Sequence, residues 1–183
     1  ALRTGCGLSV IAAPETVAPS IRALSADLIV MPLPGAALKP EHMGLLRSQI
    51  DRASVLALGP GLGKETFTLE AAIAIFEYAM NSVNSIVLDS DSIDAIDETA
   101  LSKPERVVIT PHAGEFERIA GVRPGSLWRE RLGPVKDFSL RRSCTTLLKG
   151  HHTVITDGRR IRVYAGGNPG MAKGGVGDVL TGV

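Results

Sequence analysis

The chain has 183 residues, 44% hydrophobic and 21% charged, with a formal net charge of +1. That length suits one domain with a substantial core, and the balance excludes an intrinsically disordered chain. A charge so near zero gives no reason to expect nucleic acid or an anionic membrane as partner, and no apolar run is long enough to span a bilayer. Aromatic residues are 4% of the chain against 20 glycines, so tight turns and close backbone approach should matter more than aromatic platforms. Cys6 and Cys144 show no spacing of a disulfide framework or metal site, and two buried thiols in a reducing compartment is the expectation. The first residues lack the basic region and apolar run of a secretory signal, which points to the cytoplasm.

In chain order, Leu8 to Ala12 reads as a strand, Glu15 to Ala23 as a short helix and Leu28 to Met31 as a second strand. Pro32 to Pro40 reads as a loop, and Glu41 to Ala53 as a weak helix. The apolar run Val55 to Leu58 ends in Gly59-Pro60-Gly61-Leu62-Gly63, and an amphipathic helix should follow from Lys64 to Met80. Ser85 to Leu88 is a buried-type strand ending at Asp89, and Arg106 to Ile109 another ending at Thr110-Pro111-His112. Gly133-Pro134 should break the next helical region into two pieces. Thr145 to Leu148 and His152 to Thr156 read as strands separated by Lys149-Gly150. Asp157-Gly158 is a hairpin turn into Arg160 to Tyr164. Such alternation argues for an α/β fold whose mostly parallel central sheet carries helices on both faces. Ligands bind at the carboxyl ends of strands in such sheets, and the polar and Gly-rich clusters lie mainly there.

Four segments could carry chemistry. In Asn168 to Gly182, glycines precede a helical start, where successive N–H groups and the helix N-terminus suit an anion. Asp178 at the lip of that nest would repel a bound phosphate. Either it takes a proton from an attacking hydroxyl or it is the helix N-cap. In Thr110-Pro111-His112-Ala113-Gly114-Glu115, His112 could bond a substrate and Glu115 could sit near a phosphate-bound Mg²⁺ through water, or Glu115 simply helps cap the helix. In Leu148-Lys149-Gly150-His151-His152-Thr153, Lys149 and Thr153 could contact nucleotide phosphate or ribose. The two histidines, read as neighbours in an extended segment, should point to opposite faces, so no metal site is expected from them. Gly59 to Gly63 is neither a dinucleotide fingerprint nor a P-loop. Asp89 could orient a ligand or cap a turn.

Taken in order, the Gly59–Gly63 turn, Val87-Leu88-Asp89-Ser90-Asp91, Thr110 to Glu115, Leu148 to Thr153 and Gly167 to Gly182 resemble the ADP/ATP-dependent NAD(P)H-hydrate dehydratases of the ribokinase-like superfamily. The resemblance runs from Gly5 to the last residue. It implies that Asp178 deprotonates the ring hydroxyl of a hydrated nicotinamide cofactor. It implies that Gly63, His112 and Asp178 contact that substrate. By the same resemblance Lys149, Gly150, His151, His152 and Thr153, with Gly174, Gly175 and Gly177, contact the nucleotide. ADP or ATP would be co-substrate and Mg²⁺ would come with its phosphates, with no direct protein ligand to the metal. Family domains begin ahead of Ala1 and continue past Val183, so a single domain cut at both ends is the expectation. Lys173 stands where many members have Thr, and Ser90 where Ala is common. Family members often assemble, which makes a homo-oligomer compatible with the resemblance. Two other readings stay open: a ribokinase-like kinase of a small alcohol of hydroxymethylpyrimidine or hydroxyethylthiazole type, and a nucleotide-binding piece without turnover. The sequence does not choose between ADP and ATP.

Overall fold

The computed structural model describes residues 1–98 and 103–183. Strand β1 (Val10–Pro14), helix α1 (Ala18–Arg22) and strand β2 (Ile29–Leu33) form a parallel pair with Val10 opposite Ile29, a two-stranded sheet of its own. Pro14 and Pro32 sit inside these strands, where a loop was expected from Pro32 onward. Each strand of a two-stranded sheet keeps a free edge, and a residue without an N–H costs no ladder bond there.

The main sheet has six strands in chain order: β3 (Val55–Leu58), β4 (Ser85–Leu88), β5 (Val107–Ile109), β6 (Thr145–Leu148), β7 (Thr153–Thr156) and β8 (Ile161–Tyr164). The first four run parallel, and β7 runs antiparallel to both of its neighbours, β6 and β8. Sequential order with right-handed crossovers puts the connecting helices on one face. These are α3 (Thr66–Ser82), α4 (Ala95–Glu98), α5 (Ala113–Ala120) and α6 (Trp128–Arg142), with α2 (Met43–Ile50) packed on α3. On one side of the strands Leu58, Ile86, Leu88, Val107, Ile109, Leu148 and Val154 are buried. Their alternate neighbours Val55, Ala57, Val87, Val108, Leu147 and Ile155 stay partly or fully exposed. Among the described residues one face is thus covered more fully than the other, in an α/β fold with a mostly parallel central sheet and helices, as expected.

Helix α3 turns Ala71, Ala72, Ile75, Phe76, Ala79 and Met80 inward, the three-and-four spacing of a helix laid on a sheet. Phe116 of α5 meets Phe138 of α6 edge to face at 5.5 Å between ring centres. Helix α6 runs unbroken through Pro134, contrary to the expected break. Losing one N–H and crowding the preceding turn costs roughly 3 kcal/mol. Burying Val135 and Phe138 offsets a cost of that size, at about 1.5–3 kcal/mol per side chain. Beneath it, the buried Ser139 hydroxyl bonds Thr146 Oγ1 at 2.8 Å and lies 3.2 Å from the Thr156 carbonyl, so this hydroxyl is not stranded.

Cys144 is buried at the start of β6, and burial pushes its thiol up to about 11. Cys6 is exposed, not buried as expected, because it lies in the turn ahead of β1. Among the described residues no helix is long and apolar enough to cross a membrane.

Candidate active site

Four strand ends carry the polar residues. β3 leads into Gly59–Gly63, β4 into Asp89, β5 into Thr110-Pro111-His112 and β6 into Lys149. Backbone bonds stitch these ends together: Asp89 N donates to Leu58 O, Thr110 N to Leu88 O, and Lys149 N to Pro111 O at 2.8 Å. Gly59 has φ 136°, and a Cβ there would run into the Asp89 carbonyl. A glycine is needed for these two strand ends to approach. Gly63 N donates to Asp91 Oδ2 at 3.1 Å, which anchors the far end of the same turn.

His112 caps α5. Its Nδ1 accepts from Gly114 N at 3.0 Å and Glu115 N at 3.1 Å, and Glu115 Oε2 accepts from His112 N at 2.7 Å. The capping role of Glu115 is therefore met as a reciprocal box. With Nδ1 accepting, the ring proton belongs on Nε2, 3.4 Å from Glu115 Oε1. The ring is exposed at the strand ends.

Behind them lies a charged cluster that the sequence does not announce. The Asp89 carboxylate is fully buried. Oδ1 accepts from Lys149 Nζ at 2.8 Å and Oδ2 from Thr181 Oγ1 at 2.6 Å. Burial alone would raise its pKa, but the hydrogen bonds from Lys149, Thr181 and Thr110 outweigh it and hold the carboxyl below the usual range. Lys149 Nζ also stands 3.8 Å from Glu115 Oε2. Nothing local in the sequence singles out Thr181, and an acid at Asp89 suits either a ligand contact or a turn cap. The available signal is an acid directly after the apolar run Ile86 to Leu88, a place where a carboxylate must find partners.

Thr181 belongs to α7 (Val176–Thr181), so the Asp89 carboxylate ties the glycine-rich segment to the strand ends. Gly175, in a left-handed conformation at φ 84°, is the N-cap of α7. Asp178 is therefore not the cap: it lies exposed in the first turn. The first-turn amides, Val176 to Asp178, have no carbonyl one turn back within the helix. A side chain built at Gly177 would meet Lys149 Nζ at 3.6 Å and Asp89 Oδ2 at 3.9 Å. The glycine segment and the lysine thus converge. Gly174 and Gly175 are exposed ahead of them.

Gly150 follows Lys149, and a Cβ there would clash with Arg131 Nη1 of α6. His151 and His152 lie in the turn before β7, which starts at Thr153 and not at His152. In a turn, neighbouring side chains need not alternate, and the rings approach to 4.3 Å with Nδ1 to Nδ1 at 2.9 Å. One ring donates to the other, contrary to the expected opposite faces. Thr153 Oγ1 donates to Gly150 O at 3.1 Å and closes this loop. Among the described residues no group of three His, Cys, Asp or Glu side chains could hold a metal ion.

The family model of the NAD(P)H-hydrate dehydratases matches residues 1–183. The bifunctional NAD(P)H-hydrate repair enzyme of Pyrobaculum aerophilum is 42% identical over 183 residues, all of this chain and 36% of that protein. A ribokinase-like superfamily protein from Enterococcus faecalis superimposes with TM-score 0.84 at 26% identity, over 99% of this chain and 61% of its own. The ADP/ATP-dependent NAD(P)H-hydrate dehydratase of Bacillus subtilis, co-crystallized with ATP and Mg²⁺ and soaked with CoA, does so with TM-score 0.70 at 27% identity, over 100% of this chain and 63% of its own. The chain thus spans about a third of the length of that curated repair enzyme and under two thirds of these solved structures. With a family match along its whole length and a ribokinase-like fold, the chain belongs to the NAD(P)H-hydrate dehydratase family.

Proposed function

We propose that this domain dehydrates hydrated NADH or NADPH back to the reduced cofactor at the expense of ADP or ATP, with Asp178 as general base. The observation that carries the reading is the approach of Gly177, next to Asp178, to the Lys149 ammonium at the strand ends. Phosphoryl transfer needs fixed positive charge, free amides and a base around one point. Lys149, the Gly174 to Gly177 segment and Asp178 supply the three.

The chemistry follows from these groups. Asp178 takes the proton of the ring hydroxyl as its oxygen attacks the terminal phosphorus and the shortened nucleotide leaves. The Gly174 to Gly177 amides and Lys149 hold the phosphoryl oxygens. The ring nitrogen's lone pair then breaks the carbon–oxygen bond, inorganic phosphate departs, and loss of a proton from the adjacent carbon restores the double bond. His112 Nε2–H and the Gly63 turn, at the ends of β5 and β3, face the substrate in this reading. Lys149 to Thr153 follow the nucleotide. Mg²⁺ fits as an ion carried by the nucleotide phosphates: both Glu115 oxygens already face His112, which suits a contact through water better than direct ligation. Bound there, it would neutralise phosphate charge. The cytoplasm is the proposed compartment.

Hydrated NADH lacks the near-ultraviolet absorbance of NADH, so recovery of that absorbance with ADP or ATP and Mg²⁺ reads the reaction directly. Recovery by the full-length protein supports the proposal. Phosphate transfer only to a small alcohol, with no recovery, replaces it by the kinase reading.

A further inference from the structure

We propose that Asp89 is a positioning residue for phosphoryl transfer: one buried carboxylate clasps the Lys149 ammonium and, through Thr181, the helix that carries Asp178. This rests on the dehydratase reading for the identity of the transferred group, but the clasp itself is geometric. Oδ1 holds Lys149 at 2.8 Å and Oδ2 holds Thr181 at 2.6 Å, with no exposure of Asp89 to solvent. Asp89 and Lys149 follow the ends of β4 and β6 and Thr181 lies in α7, the latter two 60 and 92 positions from Asp89. Thr181 Oγ1 also lies 3.2 Å from Gly177 O, and its one proton serves the closer Asp89 Oδ2, so the hydroxyl stands between the carboxylate and the turn that presents Gly177 and Asp178.

The arrangement has a direct consequence for Lys149. Its Nζ is an ammonium with three N–H groups, and Asp89 takes one at 2.8 Å. Glu115, at 3.8 Å, is too far to hold another tightly. N–H groups therefore remain for phosphoryl oxygens while the stem is held from behind. A buried carboxylate with one partner removed is left uncompensated, which is costly, so the ammonium and the hydroxyl are mutually dependent. Asp89 touches neither substrate nor reacting atoms in this scheme. It acts through Lys149 and α7.

A double-mutant cycle on the full-length protein tests the clasp. Asp89→Asn, Lys149→Met and the double variant are compared in the dehydration assay, beside Thr181→Val and Thr181→Ser. The clasp predicts that Asp89→Asn lowers kcat about 30-fold or more while the KM for nucleotide changes less than about 5-fold. It also predicts that the double variant is no slower than Lys149→Met within about 3-fold, because residues acting as a unit are not additive. Thr181→Val should lower kcat about 10-fold and Thr181→Ser restore most of it. Multiplying losses in the cycle, or Thr181→Ser as slow as Thr181→Val, overturns the clasp. If Asp89→Asn does not fold, the Thr181 pair decides alone. If wild type phosphorylates another alcohol and makes no NADH, the dehydratase reading fails; the same cycle run on that phosphorylation still decides the clasp.

Discussion

At the strand ends the polar residues are already tied to one another: Gly63 N to Asp91, His112 N to Glu115, Lys149 to Asp89. The glycine-rich segment opposite is built the other way. Residues 164–175 are all exposed, and the side-chain bond described within them is Asn168 Oδ1 accepting from Gly170 N at 2.8 Å. One wall of the site is therefore paid for by folding, with its dipoles and charges fixed before any ligand arrives, which is the condition for electrostatic stabilisation of a transition state. The other wall has few contacts to lose, the signature of a segment at the low-stability end of a protein. Mutations in the first wall should cost stability as well as rate, and mutations in the second should cost binding or rate alone.

The largest expected effect is at Gly59. A methyl there meets the Asp89 carbonyl, and φ 136° is a conformation few side chains accept. Gly59→Ala should lose more than about 3 kcal/mol in urea unfolding, or fail to fold. A wild-type midpoint would show that the strand ends are not packed as described and would break the contrast. Next comes Asp178→Asn. Asp178 is exposed and its side chain holds nothing in the fold, so the melting temperature should stay within about 2 °C while turnover falls about 10²–10⁴-fold, the range for loss of a general base. Retained turnover would remove Asp178 from the mechanism.

Gly177→Ala falls between the two walls. The added methyl would find Lys149 Nζ at 3.6 Å and Asp89 Oδ2 at 3.9 Å, ordinary contact distances. The fold should therefore tolerate it, while a phosphoryl group brought against the amide would not. Nucleotide affinity should drop about 10-fold by calorimetry with little change in thermal stability. Equal affinity would show that the nucleotide does not approach this turn.

A pH series sharpens the buried half of the contrast. The folded-state pKa of Asp89 lies below the ordinary carboxylate value, so the unfolded chain binds its proton more readily. The stability this contributes is fully present above about pH 4, the unfolded pKa, and is lost as pH falls through the lower folded value. Asp89→Asn should be less stable than wild type at neutral pH, and the gap should narrow below about pH 4. A gap that does not change with pH would mean that the charge of Asp89 contributes nothing to stability.

Much of this was open to a reader of the sequence, for reasons that differ by residue. Val55 to Leu58, Ser85 to Leu88 and Thr145 to Leu148 form strands on the expected residues because each is a short apolar or β-branched run bounded by turn residues. The glycine turns were legible because Gly59, Gly63 and Gly175 take positive-φ conformations that other residues avoid. What stayed hidden was long-range. Nothing local tells that Asp89 will meet Thr181, 92 positions away, or that the sheet under α6 will carry the helix past Pro134. The pairing of His151 with His152 was misread for a local reason, a turn taken for the start of a strand.

The smallest expected effect lies at Lys173, which is exposed in the glycine-rich segment. If that wall works through backbone amides, the side chain beside it is replaceable. Lys173→Thr should leave melting temperature unchanged and kcat within about 3-fold, because an exposed charge acts weakly through water and is screened within about 8–10 Å at ordinary salt. Its long-range pull on an anionic nucleotide should still appear as a modest rise in KM at low ionic strength that fades as salt is added. A large loss of kcat at all salt concentrations would mean that the Lys173 ammonium sits on the transferring phosphoryl group. The open wall would then hold a fixed charge of its own, and the contrast between the two walls would fail at the point that matters most for catalysis.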